Sequence, residues 1–147
     1  MKKLVFVLFT VLAITAGSYA QEFKVVTIVE SIVPGGAGRS RIIENQTDIN
    51  AADFTTQRTE GKDSKQKDVD RSDAKVDAFA ETKLLNFYSL AGINFQNIAS
   101  NDALISSKIN ELVKEGWKLT FVASAVESDA GKDDGQGIFI TRLFFLK

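Results

Sequence analysis

The sequence predicts an α+β domain, a small antiparallel sheet of about four strands (an N-terminal hairpin plus two C-terminal strands) packed by one main helix. Three observations lead there. Residues 22–33, EFKVVTIVESIV, are dense in β-branched side chains, which suit a pleated, half-buried surface. Residues 102–115 place Ile105, Ile109, Leu112 and Val113 at the spacing of one buried helical face. The runs WKLTFVASAV and IFITRLFFLK read as extended segments that close the chain.

Ahead of the first strand, residues 1–20 carry two lysines, an apolar run from Leu4 to Ala13 interrupted only by Thr10, and small residues ending at Ala20. That is the three-part pattern of a secretory signal peptide, and Leu4–Ala13 is short beside the ~20 residues that cross a bilayer. Its removal leaves residues 21–147 as a single domain, exported to the periplasm or the extracellular space, with no transmembrane span. Loss of Lys2 and Lys3 takes the formal net charge from −1 to −3. Such a balance gives no reason to expect nucleic acid, which wants a concentrated basic face. There is no cysteine, hence no disulfide and no acylated lipoprotein thiol.

The opening strand runs into PGGAG at 34–38, and RSRIIE at 39–44 resumes as the second strand of a hairpin. Residues 45–75 hold only Ile49, Phe54 and Val69 as large apolar groups, which predicts a mobile polar insertion. Over 76–95, Val76, Ala80, Leu84, Phe87 and Tyr88 share a helical face, and a short helix ending near Gly92 is expected. The main helix is expected to start with Ser100 or Asn101 as cap and to end at Gly116 in a left-handed turn. Trp117 then packs back on the last turn and opens a strand in which Trp117, Leu119, Phe121 and Ala123 share one face. The final strand is apolar on both faces, Ile138, Ile140, Phe144 and Leu146 against Phe139, Leu143 and Phe145. It is read as a covered central strand, with a border to another subunit through Phe139, Leu143 and Phe145 as the alternative.

FKVV at 23–26, INELVKEGWKLTFV at 109–122 and IFITRLFF at 138–145 together resemble the small bacterial domain of unknown function 4177. Members have an opening strand with an aromatic-Lys-Val-Val start, a helix ending in Glu-Gly-Trp, and two final strands, the last with an arginine, here Arg142. The chain departs from that pattern at Lys118, where an acidic residue is common, and in the long insertion between Ile43 and Asn101. The resemblance implies a fold and no activity.

Histidine and cysteine are both absent, which excludes Ser–His–Asp and Cys–His catalysis and the common zinc sites. A carboxylate pair drawn from Glu30, Glu44, Glu111 and Glu115 is the enzymatic route that remains, as in glycoside hydrolysis. PGGAGRSR lacks the lysine and the following helix of a phosphate loop, so no nucleotide is expected. Arg39, Ser40 and Arg41 are instead a candidate grip for an acidic group. Neither Asp68, Asp70 and Asp73 nor Asp129, Asp133 and Asp134 follows calcium-loop spacing, and no metal or other cofactor is expected. The expected function is a non-catalytic binding or assembly module of the bacterial cell envelope, whose partner is an envelope protein or a second copy. The alternatives are a carboxylate-dependent hydrolase of envelope polysaccharide and a structural accessory or stress protein.

Overall fold

The computed structural model describes residues 21–32, 40–70, 72–89, 91–127 and 137–147. The expected leader, the glycine-rich loop with Arg39, and the aspartates at 129, 133 and 134 lie outside the described residues. In chain order the elements are β1 (Phe23–Ser31), β2 (Arg41–Asn45), β3 (Phe79–Lys83), β4 (Tyr88–Ser89), β5 (Gly92–Ile93), helix α1 (Phe95–Lys114), β6 (Lys118–Val126) and β7 (Ile138–Leu146). The main sheet is antiparallel in the order β3-β2-β1-β7-β6, and β4 and β5 form a separate two-stranded ladder. The fold is α+β, with five strands in the main sheet where four were expected.

The fifth strand replaces the helix expected over 76–92. β3 pairs with β2 from Arg41↔Lys83 to Asn45↔Phe79, filling an edge that β2 would otherwise leave open. Its local pattern fits either conformation, and the long-range ladder decides in favour of the strand. Gly92, expected to end that helix, has φ 111° inside the β4–β5 ladder.

Helix α1 begins earlier than expected. Asn94 is its cap, the Oδ1 accepting from the backbone N–H of Gln96 (3.0 Å) and Asn97 (3.2 Å). Asn101, expected as the cap, is fully buried a turn and a half into the helix. Its Oδ1 accepts from the Leu85 N–H (2.8 Å), and its Nδ2 donates to the Leu85 carbonyl (2.8 Å) and to Glu30 Oε1 (3.3 Å). One amide therefore stands in for a missing strand, pinning the chain after β3 to the helix.

At the other end the Gly116 N–H donates to the Val113 carbonyl and the Trp117 N–H to the Leu112 carbonyl, both at 3.0 Å. This double closure needs a residue at positive φ, and Gly116 supplies φ 93°. Trp117 lands on the helix's last turn with only 6 % of its surface exposed. Beneath the helix, Val26 and Ile28 of β1, Ile42 of β2, and Leu143 and Phe145 of β7 meet Leu112, Leu84 and the indole in one core. Phe145 is completely buried.

Strand β6 departs from the simple alternation expected of it. Leu119 pairs with Phe145 and Phe121 with Phe144, so Thr120 is an extra residue in a bulge. Its hydroxyl donates to the Phe144 carbonyl (3.0 Å). One inserted residue reverses which face the side chains take. Trp117 and Leu119 keep to the core, while Phe121 and Ala123, expected beside them, turn to the opposite face. Residues 46–70 and 72–77 run mostly exposed, with short 3-10 turns at Ala51–Phe54 and Gln66–Asp68 and local bonds such as Asn50 Oδ1 accepting from the Ala52 N–H (3.1 Å).

Three substitutions on and beside α1 test these contacts. Trp117→Ala should cost about 3–5 kcal/mol and Gly116→Ala about 1–2 kcal/mol, the first from lost packing and the second from the left-handed φ alone. Space does not forbid the alanine, because its methyl would meet only the Lys147 side chain at 3.6 Å. Denaturant unfolding followed by indole fluorescence checks the Gly116 variant, and circular dichroism checks the other. Asn101→Leu should cost about 1–3 kcal/mol by stranding the Leu85 backbone groups, with faster hydrogen exchange at Leu85 as the local signature.

Candidate interaction surface

Ser40 and Arg41, expected to bind an acidic group, are otherwise engaged. Ser40 is buried, its hydroxyl accepting from the Ser31 N–H (3.0 Å) and its carbonyl from the Leu84 N–H (3.0 Å). It ties β1, β2 and the end of β3 together and is closed to a ligand. Arg41 is ion-paired with Glu81, whose other oxygen takes Lys83. Hydrogen bonds from Lys83 and then Arg41 hold the Glu81 carboxyl below the ordinary value.

The expected interface residues also divide. Leu143 and Phe145 sit in the core beneath α1 and are unavailable to a partner. Phe139 is partly exposed and tilts against Phe87, with ring centroids 6.3 Å apart. Helix packing thus consumes one of the two apolar faces of β7 and leaves the other.

Of the glutamates considered for acid–base work, Glu44 is a structural anion. Lys24 Nζ lies 2.8 Å from Oε1 and Lys108 Nζ 3.3 Å from Oε2, with Lys108 also 3.0 Å from Glu111. Burial works to raise the Glu44 carboxyl, but the hydrogen bonds and charges of Lys24 and Lys108 outweigh it and bring the group below its ordinary value. Glu30 goes the other way, raised chiefly by burial, opposed by the Asn101 hydrogen bond and assisted by the charge of Asp102. Glu44 pairs with Val26, four residues before Glu30 on the same strand. At a rise of ~3.3 Å per residue that offsets their backbone positions along the strand by about 13 Å, whereas glycosidase carboxyl pairs work ~5–9.5 Å apart. Above Lys24 lies Trp117, with Lys24 Nζ 4.9 Å and Lys147 Nζ 5.4 Å from its ring centre. A cleft of about 340 Å³ opens beside them, lined by Glu22, Gln46 and Asp48 among others.

The uncovered side of the sheet offers a different chemistry. Where β6, β7 and β1 lie side by side, register and alternation set out three rows on this face. Lys118, Leu146 and Phe23 form the first, Phe121, Phe144 and Val25 the second, and Ala123, Arg142 and Thr27 the third. Phe23 is 66 % exposed, Phe121 62 % and Val25 42 %, although Val25 belongs to the middle strand of the sheet. The Phe121 and Phe144 rings lie 5.7 Å apart at 48°. Lys118 and Arg142 stand on either side of these apolar groups, and neither is ion-paired among the described residues. Sequence periodicity missed Phe121 because the bulge that turns it outward has no signal of its own.

The two shifted glutamates predict opposite pH effects. Glu44, lowered on folding, contributes stability that is present above about pH 4.5 and lost as pH falls through its folded value. Glu44→Gln should therefore cost about 1–2 kcal/mol at neutral pH and nothing in acid. Glu30, raised on folding, opposes folding when ionised, and that penalty disappears as pH falls below its raised value. Glu30→Gln keeps the acceptor for Asn101 and should leave Tm at neutral pH unchanged or higher. Thermal melts of both variants from neutral pH to below pH 4 check the two signs.

Compared with known proteins, the chain matches no family model, no curated protein and no solved structure.

Proposed function

We propose that the chain is an exported, non-catalytic binding or assembly module of the bacterial cell envelope, working through the uncovered face of its sheet. The observation that carries this reading is a five-stranded sheet with its helix on one face and with Phe23, Val25 and Phe121 exposed on the other. Contiguous apolar groups of this kind on a folded domain mark an interaction site more often than chance exposure. Export rests on the leader pattern of residues 1–20, and no described helix is long and apolar enough to cross a membrane.

The hydrolase reading draws less support. Glu44 is neutralised by two lysines, Glu111 is paired with one of them, and Glu30 stands far from Glu44 along the strand. The accessory-protein reading, with residues 46–75 as its contact surface, is separable by deletion. The resemblance to the domain of unknown function 4177 agrees with the order of the opening strand, the helix and the two final strands, and brings no activity with it.

Phe121→Ser changes an exposed edge-strand side chain and should lower affinity for isolated envelope fractions at least ~10-fold while shifting Tm by only a few degrees. Deletion of residues 46–75 should leave that affinity unchanged. Co-sedimentation with envelope fractions and light scattering across protein concentrations measure both. Binding that survives Phe121→Ser and fails on the deletion would move the contact surface to the insertion.

A further inference from the structure

We propose that the uncovered face docks on an anionic lipid surface, with Phe23, Phe121, Phe144 and Val25 entering the headgroup layer and Lys118 and Arg142 meeting lipid phosphates. This rests on the binding-module reading and names the partner for that face.

The first argument is the arrangement itself. With strands ~4.8 Å apart and every second residue ~6.7 Å along, the three rows on β6, β7 and β1 form a knuckle about 10 Å by 13 Å. Its large side chains are all apolar apart from the two cations, and it contains no carboxylate. Exposed aromatics beside lysine or arginine are the pattern of peripheral membrane attachment, apolar groups reaching the acyl boundary and cations held at the phosphate level.

Charge distribution supplies the second argument. The whole chain has a formal net charge of −1, yet the strand residues on this face set Lys118, Arg142, Arg41 and Lys83 against the single carboxylate of Glu81. The acids lie elsewhere, as Glu30 and Glu44 do on the helix side and as many do in the insertion. An anionic surface would attract the cationic face and repel the rest, so the field turns the knuckle toward the lipid before contact. Arg41 and Lys83 are already engaged by Glu81, whereas Lys118 and Arg142 form no ion pair among the described residues.

The same features weigh against other occupants. A second copy docking by this face would bring like charges together, since a two-fold contact presents the same patch from both sides. Across the middle of the face a strand or peptide finds no main-chain groups to pair with, because β1 and β7 are interior strands with both ladders filled, and only the outer edge of β6 could take one. A fluid lipid layer requires neither pocket nor register.

The test uses the full chain, produced with export, its N-terminus read by mass spectrometry, and floated with vesicles of phosphatidylcholine alone or with phosphatidylglycerol added. Binding to the anionic vesicles should be ~10-fold or more tighter and should weaken as ionic strength rises. Phe121→Ser, and separately Lys118→Glu with Arg142→Glu, should each reduce it ~10-fold or more. The conservative pair Lys118→Arg with Arg142→Lys should retain it, which separates loss of charge from loss of fold. Equal binding to both vesicle types, insensitive to salt and to these variants, would assign attachment to the leader and overturn the proposal. A dimer in solution that Phe121→Ser dissolves would overturn it in favour of a second copy. Loss of envelope-fraction binding in Phe121→Ser without any vesicle binding would leave the binding module standing and remove the lipid. If neither changes, both readings fall.

Discussion

Gly116 lets the chain fold back sharply enough to place an indole under the helix that has just ended, and much of the domain's geometry depends on that turn. At φ 93° the backbone N–H groups of residues 116 and 117 both reach carbonyls in the last turn of α1, satisfying those of Val113 and Leu112. Trp117 then joins Leu112 and Phe145 in one buried cluster. Because Lys118 opens β6 immediately afterwards, the indole fixes both where the helix lies over the sheet and where the edge strand begins. Lys24 and Lys147 each bring an ammonium within cation–π range of the ring, adding to its packing.

From that anchor the two faces of the sheet acquire different characters. A twenty-residue helix is about 30 Å long, comparable with the ~20–24 Å width of five strands, and so it can cover one face and no more. On the covered side polar groups are matched. Glu44 bridges lysines from β1 and from the helix, Asn101 satisfies Leu85 and touches Glu30, and Ser40 serves Ser31. On the open side the bulge at Thr120 reverses the alternation of β6 and sends Phe121 outward against Phe144. Without that extra residue Phe121 would follow Trp117 and Leu119 inward. A local irregularity in an edge strand therefore helps to build the exposed aromatic knuckle, in keeping with the tendency of bulges to re-aim side chains where a surface has work to do.

Net charge hid this asymmetry. A value of −1 for the chain averages a cationic sheet face with acids placed around it, and only the register of the strands reveals which charges share a surface. The same holds for the hairpin residues. Arg41 looks available in the chain and is found clasped to Glu81, forty positions away, while Ser40 is sealed beneath Leu84.

Helix termination at Gly116, burial of Trp117, the opening strand and the double apolar character of Ile138–Leu146 were legible before any coordinates, because each is written in contacts a few residues apart: a 3.6-residue stripe, a glycine followed by an apolar group, an alternation of two. The strand at Phe79–Lys83 was not, since its residues fit a helix as well and the free edge of β2 made the choice. Nor were the earlier start of α1 at Phe95, the burial of Asn101, or the outward turn of Phe121, each set by partners far along the chain. Local spacing can say that β7 has two apolar faces. Which of them the helix takes, and which is left for a partner, depends on how a single helix lands on the assembled sheet.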